Sequence, residues 1–187
     1  MEGDWSVGDT YRVRRAQSED APAIAYVHVE CWATTYAGLL PEEYIASRTL
    51  ESRTAMWQRA LAEPLPGRCC FVAIDAAGQL VGFAAGGPQP EADLPYTGEL
   101  YAIYLLRTAQ GIGIGRQLAA HVASALAAEG HRTLLIWVLA SNPACRFYEA
   151  LGGHPVSRRQ VADAGVTLDE VAYGWEDIGA VAAQSDM

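Results

Sequence analysis

The stretch from Glu99 to Leu139 limits the fold of this chain more than any other. Glu99 to Leu106 is rich in β-forming residues, and Gln110-Gly111-Ile112-Gly113-Ile114-Gly115 follows it. Ile114, Leu118, Val122 and Leu126 then recur every fourth position up to Gly130, and Thr133 to Leu139 is apolar throughout. A spacing of four lines one face of a helix. A strand apolar on both faces belongs inside a sheet. Strand, helix and strand in that order predict a parallel pair, because the helix carries the chain back to the end from which the first strand started.

The flanking segments supply the rest of the sheet and its cover. Arg12 to Ala16 reads as a first strand, and Ser18 as the cap of a helix from Glu19 to Tyr36 with Ile24, Val27 and Cys31 inward. A second helix is predicted to start near Glu42, with an interruption around Ser47 to Leu50, and to end before Pro64. Cys69 to Ile74 and Leu80 to Ala85 flank Asp75-Ala76-Ala77-Gly78 and read as a hairpin. Gly86 to Gly98 holds three prolines and reads as a loop. Asn142 before Pro143 predicts the cap of a short helix reaching Gly152-Gly153, and Val156 to Val161 with Val166 to Trp175 a last hairpin. The fold class is therefore α/β: one domain, a mixed and mostly antiparallel sheet of six to seven strands, and about four helices. The final residues read as a frayed tail.

Composition narrows the chemistry. The chain has 13 basic residues, all of them Arg, so enzymes that need a lysine amine and loops that grip phosphate with lysine are excluded. A net charge of −9 argues against nucleic acid, which needs clustered cations, and favours a cationic small molecule as ligand. The longest apolar run, Leu134 to Ala140, is far short of the roughly 18 residues of a membrane span. Met1 to Tyr11 carries Glu2, Asp4 and Asp9 and reads as neither a secretory nor a transit segment, which predicts a cytoplasmic protein with no membrane partner. Cys31, Cys69, Cys70 and Cys145 form no C-x-x-C pair, and His28 with Cys31 lacks two further ligands nearby, so no metal is expected.

The glycines at 111, 113 and 115 let a backbone approach a ligand closely, and free N–H groups at a helix start attract anions. The dinucleotide pattern G-x-G-x-x-G fails here, since its third glycine would fall on Ile114 or Leu118. Leu100 to Gly115 with its helix, and Leu134 to Gly153 with Asn-Pro-Ala-Cys-Arg-Phe-Tyr-Glu-Ala-Leu-Gly-Gly, are instead similar to the two signature motifs of the GNAT superfamily of acyl-CoA-dependent N-acyltransferases. Gln110, Gly113 and Gly115 match its Q/R-x-x-G-x-G/A pyrophosphate signature, and Trp32, Tyr36 and Leu40-Pro41 resemble its small-molecule members.

That resemblance implies a flexible segment over residues 1–10, an N-acetyltransferase domain over 11–175 and a C-terminal tail over 176–187. It implies acetyl-CoA as cosubstrate, held at Gln110, Gly111, Ile112, Gly113, Ile114, Gly115 and Arg116. The pantetheine arm would lie where the two parallel strands splay apart, along Ile103, Tyr104 and Leu105, with Asn142 as a hydrogen-bonding partner or a helix cap. Glu99, eleven residues before Gln110, takes the position of a general base, with Glu91, Asp93 or a water chain as substitutes, and Tyr148 that of the general acid. Trp32, Tyr36 and Tyr96, with the acidic loop from Glu91 to Asp93, are candidates for the acceptor site, because aromatic faces and carboxylates suit a cationic amine. The activity implied is acetyl transfer to a primary amine of a small molecule. A protein or peptide amine, or a CoA-binding module without catalysis, are the alternatives, and a homodimer is left open.

Overall fold

The computed structural model describes residues 11–63, 65–90 and 94–186. Its single sheet has the strand order β1-β2-β3-β4-β5-β7-β6. The strands are β1 (Tyr11–Arg15), β2 (Cys69–Asp75), β3 (Leu80–Pro88), β4 (Gly98–Leu105), β5 (Leu134–Leu139), β6 (His154–Asp163) and β7 (Val166–Trp175). Neighbours run antiparallel except β4 and β5, the predicted parallel pair. The helices are α1 (Ala21–Tyr36), α2 (Glu42–Ala46), α3 (Leu50–Ala62), α4 (Ile114–Ala128), α5 (Cys145–Ala150) and α6 (Ile178–Ala182).

The sheet separates two cores. On one face Leu118, Val122 and Leu126 of α4 meet Leu100, Leu134, Ile136 and Val138, all buried. The four-residue spacing read from the sequence therefore faces the strands it predicted. Burial of each such side chain contributes about 1.5–3 kcal/mol relative to exposure. Gly86 permits the close approach, since a Cβ there would lie 2.5 Å from Val122 Cγ1. On the other face Ile24, Val27 and Cys31 of α1 and Trp57 of α3 cover Val72, Ile74 and Phe83. Ser18 Oγ donates to the Leu61 carbonyl at 3.5 Å, and Trp57 Nε1 to His28 Nδ1 at 3.2 Å, so α1 and α3 run antiparallel.

Local departures from the expected elements have local causes. Ser18 opens a 3₁₀ turn (Ser18–Asp20) instead of capping a helix, and the Gln17 N–H donates to Asp20 Oδ2 at 2.8 Å. Gly86 and Gly87 continue β3 by pairing with Leu100 and Glu99, where a loop was expected. Six helices replace the expected four or so, because the predicted interruption splits the second into α2 and α3 and the final residues add α6. The frayed tail is thus corrected: Asp177 Oδ1 accepts from the Gly179 N–H at 2.8 Å and starts α6, whose Ile178 and Val181 are buried in the α4-side core.

Candidate active site

The β4/β5 pair is a fork. Only Gly98↔Leu134 and Glu99↔Leu135 are in register, after which β4 runs on to Leu105 and β5 to Leu139 without pairing. Between Ala85↔Ala102 and Gly86↔Leu100 the β3/β4 register skips Tyr101, a bulge that turns β4 where the strands part. The Leu106 N–H donates to Val81 on the β3 side at 2.9 Å. Successive residues of a strand address opposite edges, so Ile103 and Leu105 present their backbone groups toward β5. These are the positions expected to meet an extended ligand. Gln110 Nε2 donates to the Leu105 carbonyl at 2.9 Å and ties the glycine loop to the end of the strand.

The loop is shaped for an anion. Gly111 and Gly113 have φ of +78° and +91°, and a Cβ on either would meet nothing within 4 Å. Their surroundings are open, and the backbone conformation is one that L side chains rarely adopt. The Gln117 N–H makes the bond to Gly113 that begins α4, at 3.1 Å. The N–H groups of Ile114, Gly115 and Arg116 therefore have no partner within the helix. They fit a pyrophosphate without help from lysine. Ile112 is exposed, but Ile114 is buried in the α4-side core, so only its backbone can serve a ligand. A Cβ on Gly115 would meet the Phe147 ring at 3.2 Å. The side chain of Arg116 donates from Nη1 to Gln184 Oε1 at 2.9 Å, which leaves its backbone N–H as the group that faces the loop.

At the open end of the fork, residues distant in sequence converge. Asn142 Nδ2 donates to the Tyr36 hydroxyl at 3.5 Å, while its Oδ1 accepts from the Ala144 N–H at 2.9 Å. Asn142 does not cap α5 itself: α5 starts at Cys145, later than expected, after a turn of 3₁₀ bonds from Asn142 to Phe147. Burial raises the Tyr36 hydroxyl pKa, and hydrogen bonds with Tyr104 and Asn142 pull it back. Tyr148 is buried on α5, its ring 5.9 Å from that of Tyr173, and burial, then Tyr36 and Cys145, hold its phenol well above the ordinary range. It stays protonated at any physiological pH. Burial also raises Tyr104, whose ring stacks on His28 at 5.1 Å.

Glu99 stands at the crotch of the fork. Leu100 points into the α4-side core, so Glu99 points to the opposite face, the one that carries Ala102 and Tyr104 toward α1. Leu135 pairs with both Glu99 and Gly174, and a Cβ on Gly174 would run into the Tyr96 ring. Tyr96 therefore covers the closed end, two strands from Glu99. Trp32 and Tyr36, with ring centroids 4.5 Å apart, belong to the open end, so the three aromatics expected at one acceptor site divide between the two ends. Glu91 and Asp93 lie outside the described residues. Sequence reasoning missed Arg48 and Arg53: Arg48 lies over the Trp32 ring at 5.4 Å, and Arg53 precedes Trp57 by one turn of α3. The signal for Arg53 was an arginine on the helix face of Leu50, Trp57 and Leu61, and Arg48, which precedes the helix, had none. Among the described residues no group of three or more His, Cys, Asp and Glu could hold a metal ion, and no helix is long and apolar enough to cross a membrane.

Comparison with known proteins bears on this geometry. Residues 32–153 match the acetyltransferase (GNAT) family. The chain belongs to that family. As a GNAT protein it is an acyltransferase, and its open seven-stranded sheet with one parallel pair is the GNAT fold. It is 40% identical over 169 residues to an uncharacterized N-acetyltransferase, YuaI, of Bacillus subtilis (strain 168), covering 90% of this chain and 95% of that one. An N-acetyltransferase structure from Staphylococcus aureus Mu50 superposes with a TM-score of 0.69 at 25% identity, covering 91% of this chain and 99% of its own. The acetyltransferase YncA of Salmonella typhimurium, solved with acetyl-CoA, superposes with a TM-score of 0.66 at 19% identity, covering 89% of this chain and 94% of its own, and shares the fold.

Proposed function

We propose that this GNAT protein moves the acetyl group of acetyl-CoA directly to the primary amine of a small molecule. The observation that carries the reading is the fork: β4 and β5 part at Glu99, and the glycine loop and Tyr148 stand at its open side. The N–H groups of the loop from Gln110 to Gly115 hold the pyrophosphate, and the free edge of β4 at Ile103 and Leu105 pairs with the pantetheine amides as a neighbouring strand would.

Proton handling then falls to this chain's own side chains. An alkyl ammonium of pKa about 10.4 leaves roughly one neutral amine in two thousand at pH 7. Glu99 takes the ammonium proton, directly or through water, as nitrogen bonds the acetyl carbon and the carbon–sulfur bond breaks. Tyr148, kept neutral by burial, donates its proton to the departing thiolate and is reprotonated, through water, by the second proton that the nitrogen gives up on becoming an amide. The enzyme itself forms no covalent bond to the acetyl group.

The test is thiol release. Incubation with acetyl-CoA and a panel of primary amines should free CoA faster than either component alone, with acetylated amine appearing in equal amount. A protein that binds acetyl-CoA yet releases no CoA with any amine overturns the reading.

A further inference from the structure

Two buried hydrogen-bond donors beside the acceptor side of the fork have no acceptor among the described residues: Trp32 Nε1 and Arg53 Nε. The antiparallel packing of α1 and α3 places them at one level. His28 and Trp57 are joined by a hydrogen bond, and from that level one turn forward on α1 reaches Trp32 while one turn back on α3 reaches Arg53. Arg48, just before α3, completes the level by lying over the Trp32 ring at 5.4 Å. Among the described residues the guanidinium of Arg53 has one side-chain hydrogen-bond partner, a thioether, Nη1 to Met56 Sδ at 3.4 Å.

The acids among the described residues do not explain this arrangement. Asp163 is the carboxylate that acts on Arg53 among the described residues, and it is engaged elsewhere, by Arg48 Nη2 at 2.7 Å and the Tyr44 hydroxyl at 2.6 Å. Arg53 makes no ion pair among the described residues. Its charge is correspondingly uncomfortable: burial and then Arg48 lower its pKa. In a chain of net charge −9, two guanidiniums converge where a cationic acceptor was expected to bind. A half-buried, planar, forked cation whose Nε has no acceptor among the described residues matches one kind of ligand group, a small oxyanion taken bidentately.

We infer that the acceptor amine carries a carboxylate, seated on the guanidinium of Arg53 and the indole N–H of Trp32. The inference rests on the acetyl-transfer reading and names its substrate class, a small amino-carboxylate such as a free amino acid. Trp32 is in ring contact with Tyr36, whose hydroxyl meets Asn142 at the mouth of the fork, so a short molecule spans from the cationic seat toward the reacting end. A polyamine would place a second cation against Arg53, and a peptide N-terminus offers a neutral amide where the carboxylate belongs.

The experiment compares, for each of several side chains, an amino acid, its amide and its decarboxylated amine as acceptors, by CoA release. The acid should be preferred in kcat/KM by about 10- to 100-fold, the value of a hydrogen bond to a charged group. Arg53→Gln should bring that preference to within about threefold by raising KM for the acid, and Arg53→Lys, which keeps the charge but loses the fork, should fall between. The wild-type comparison needs no variant to fold. If amides or amines are acetylated as well as acids, the inference falls and acetyl transfer stands. If no amine of any kind releases CoA, the transfer reading falls and takes the inference with it.

Discussion

The indole of Trp57 donates to Nδ1 of His28 at 3.2 Å, which fixes the proton of the neutral imidazole on Nε2. This bond sets the level of α1 against α3, and it makes His28 a buried base. Burial, then Arg53 and Arg48, depress its pKa from 6.5 to about 4. Protonation would forfeit the acceptor that Trp57 uses.

Stability should therefore fall with acidification in a defined window. The unfolded chain binds a proton at His28 below pH 6.5 while the folded chain resists until about pH 4, so the contribution is full above 6.5 and lost progressively down to about 4. The size is about 3 kcal/mol. Urea unfolding from pH 7.5 to 4.5 should show a steeper loss for wild type than for His28→Gln, which keeps an acceptor but does not titrate. Parallel curves would remove His28 as the source.

The glycine at the start of α4 should matter to cofactor more than to folding. At Gly113, with φ of +91° and open space around it, alanine meets no clash but adopts a disfavoured backbone, a cost of about 1–2 kcal/mol. Gly113→Val adds bulk where a pyrophosphate would approach. Calorimetry should show acetyl-CoA affinity reduced at least about tenfold in the valine variant, with a smaller loss for alanine. Equal affinity in a folded valine variant would move the anion site elsewhere.

For Glu99 the diagnostic is the pH dependence of the defect. Glu99→Gln should lower turnover by about 10²- to 10⁴-fold at neutral pH with acetyl-CoA affinity little changed. The loss should shrink as pH rises and the amine arrives neutral. Wild-type turnover at pH 7, with chemistry rate-limiting, would assign the proton to another group.

Tyr148→Phe preserves the ring packed against Tyr173 and removes the hydroxyl alone. A proton donor should lose activity steeply, and part of the loss should return with an acyl donor whose thiol is more acidic than that of CoA, because its departure needs less help. A phenylalanine variant as active as wild type with both donors would leave Tyr148 a packing residue.

Much of the scaffold was legible because its determinants are local. The four-residue spacing from Ile114 to Leu126, the Asp75 turn and the apolar run ending at Leu139 each lie within one element, where periodicity and turn chemistry act over a few residues. The glycine loop could be read for the same reason: a helix start and its positive-φ glycine are neighbours in the chain. The five-residue α6 was not, since so short a helix carries no period and is held by burial of Ile178 and Val181 against α4. Nor could sequence show that β4 and β5 part at Glu99, that Arg116 turns to Gln184, or that Asn142 reaches Tyr36. Above all, Arg53 and Trp32 come to one level only because α1 and α3 pack antiparallel about the His28–Trp57 bond. The sequence by itself determined the elements and the anion-binding loop, through short-range sterics and periodicity. Tertiary packing alone decided which distant side chains share a site, because that depends on the relative level of whole helices and strands.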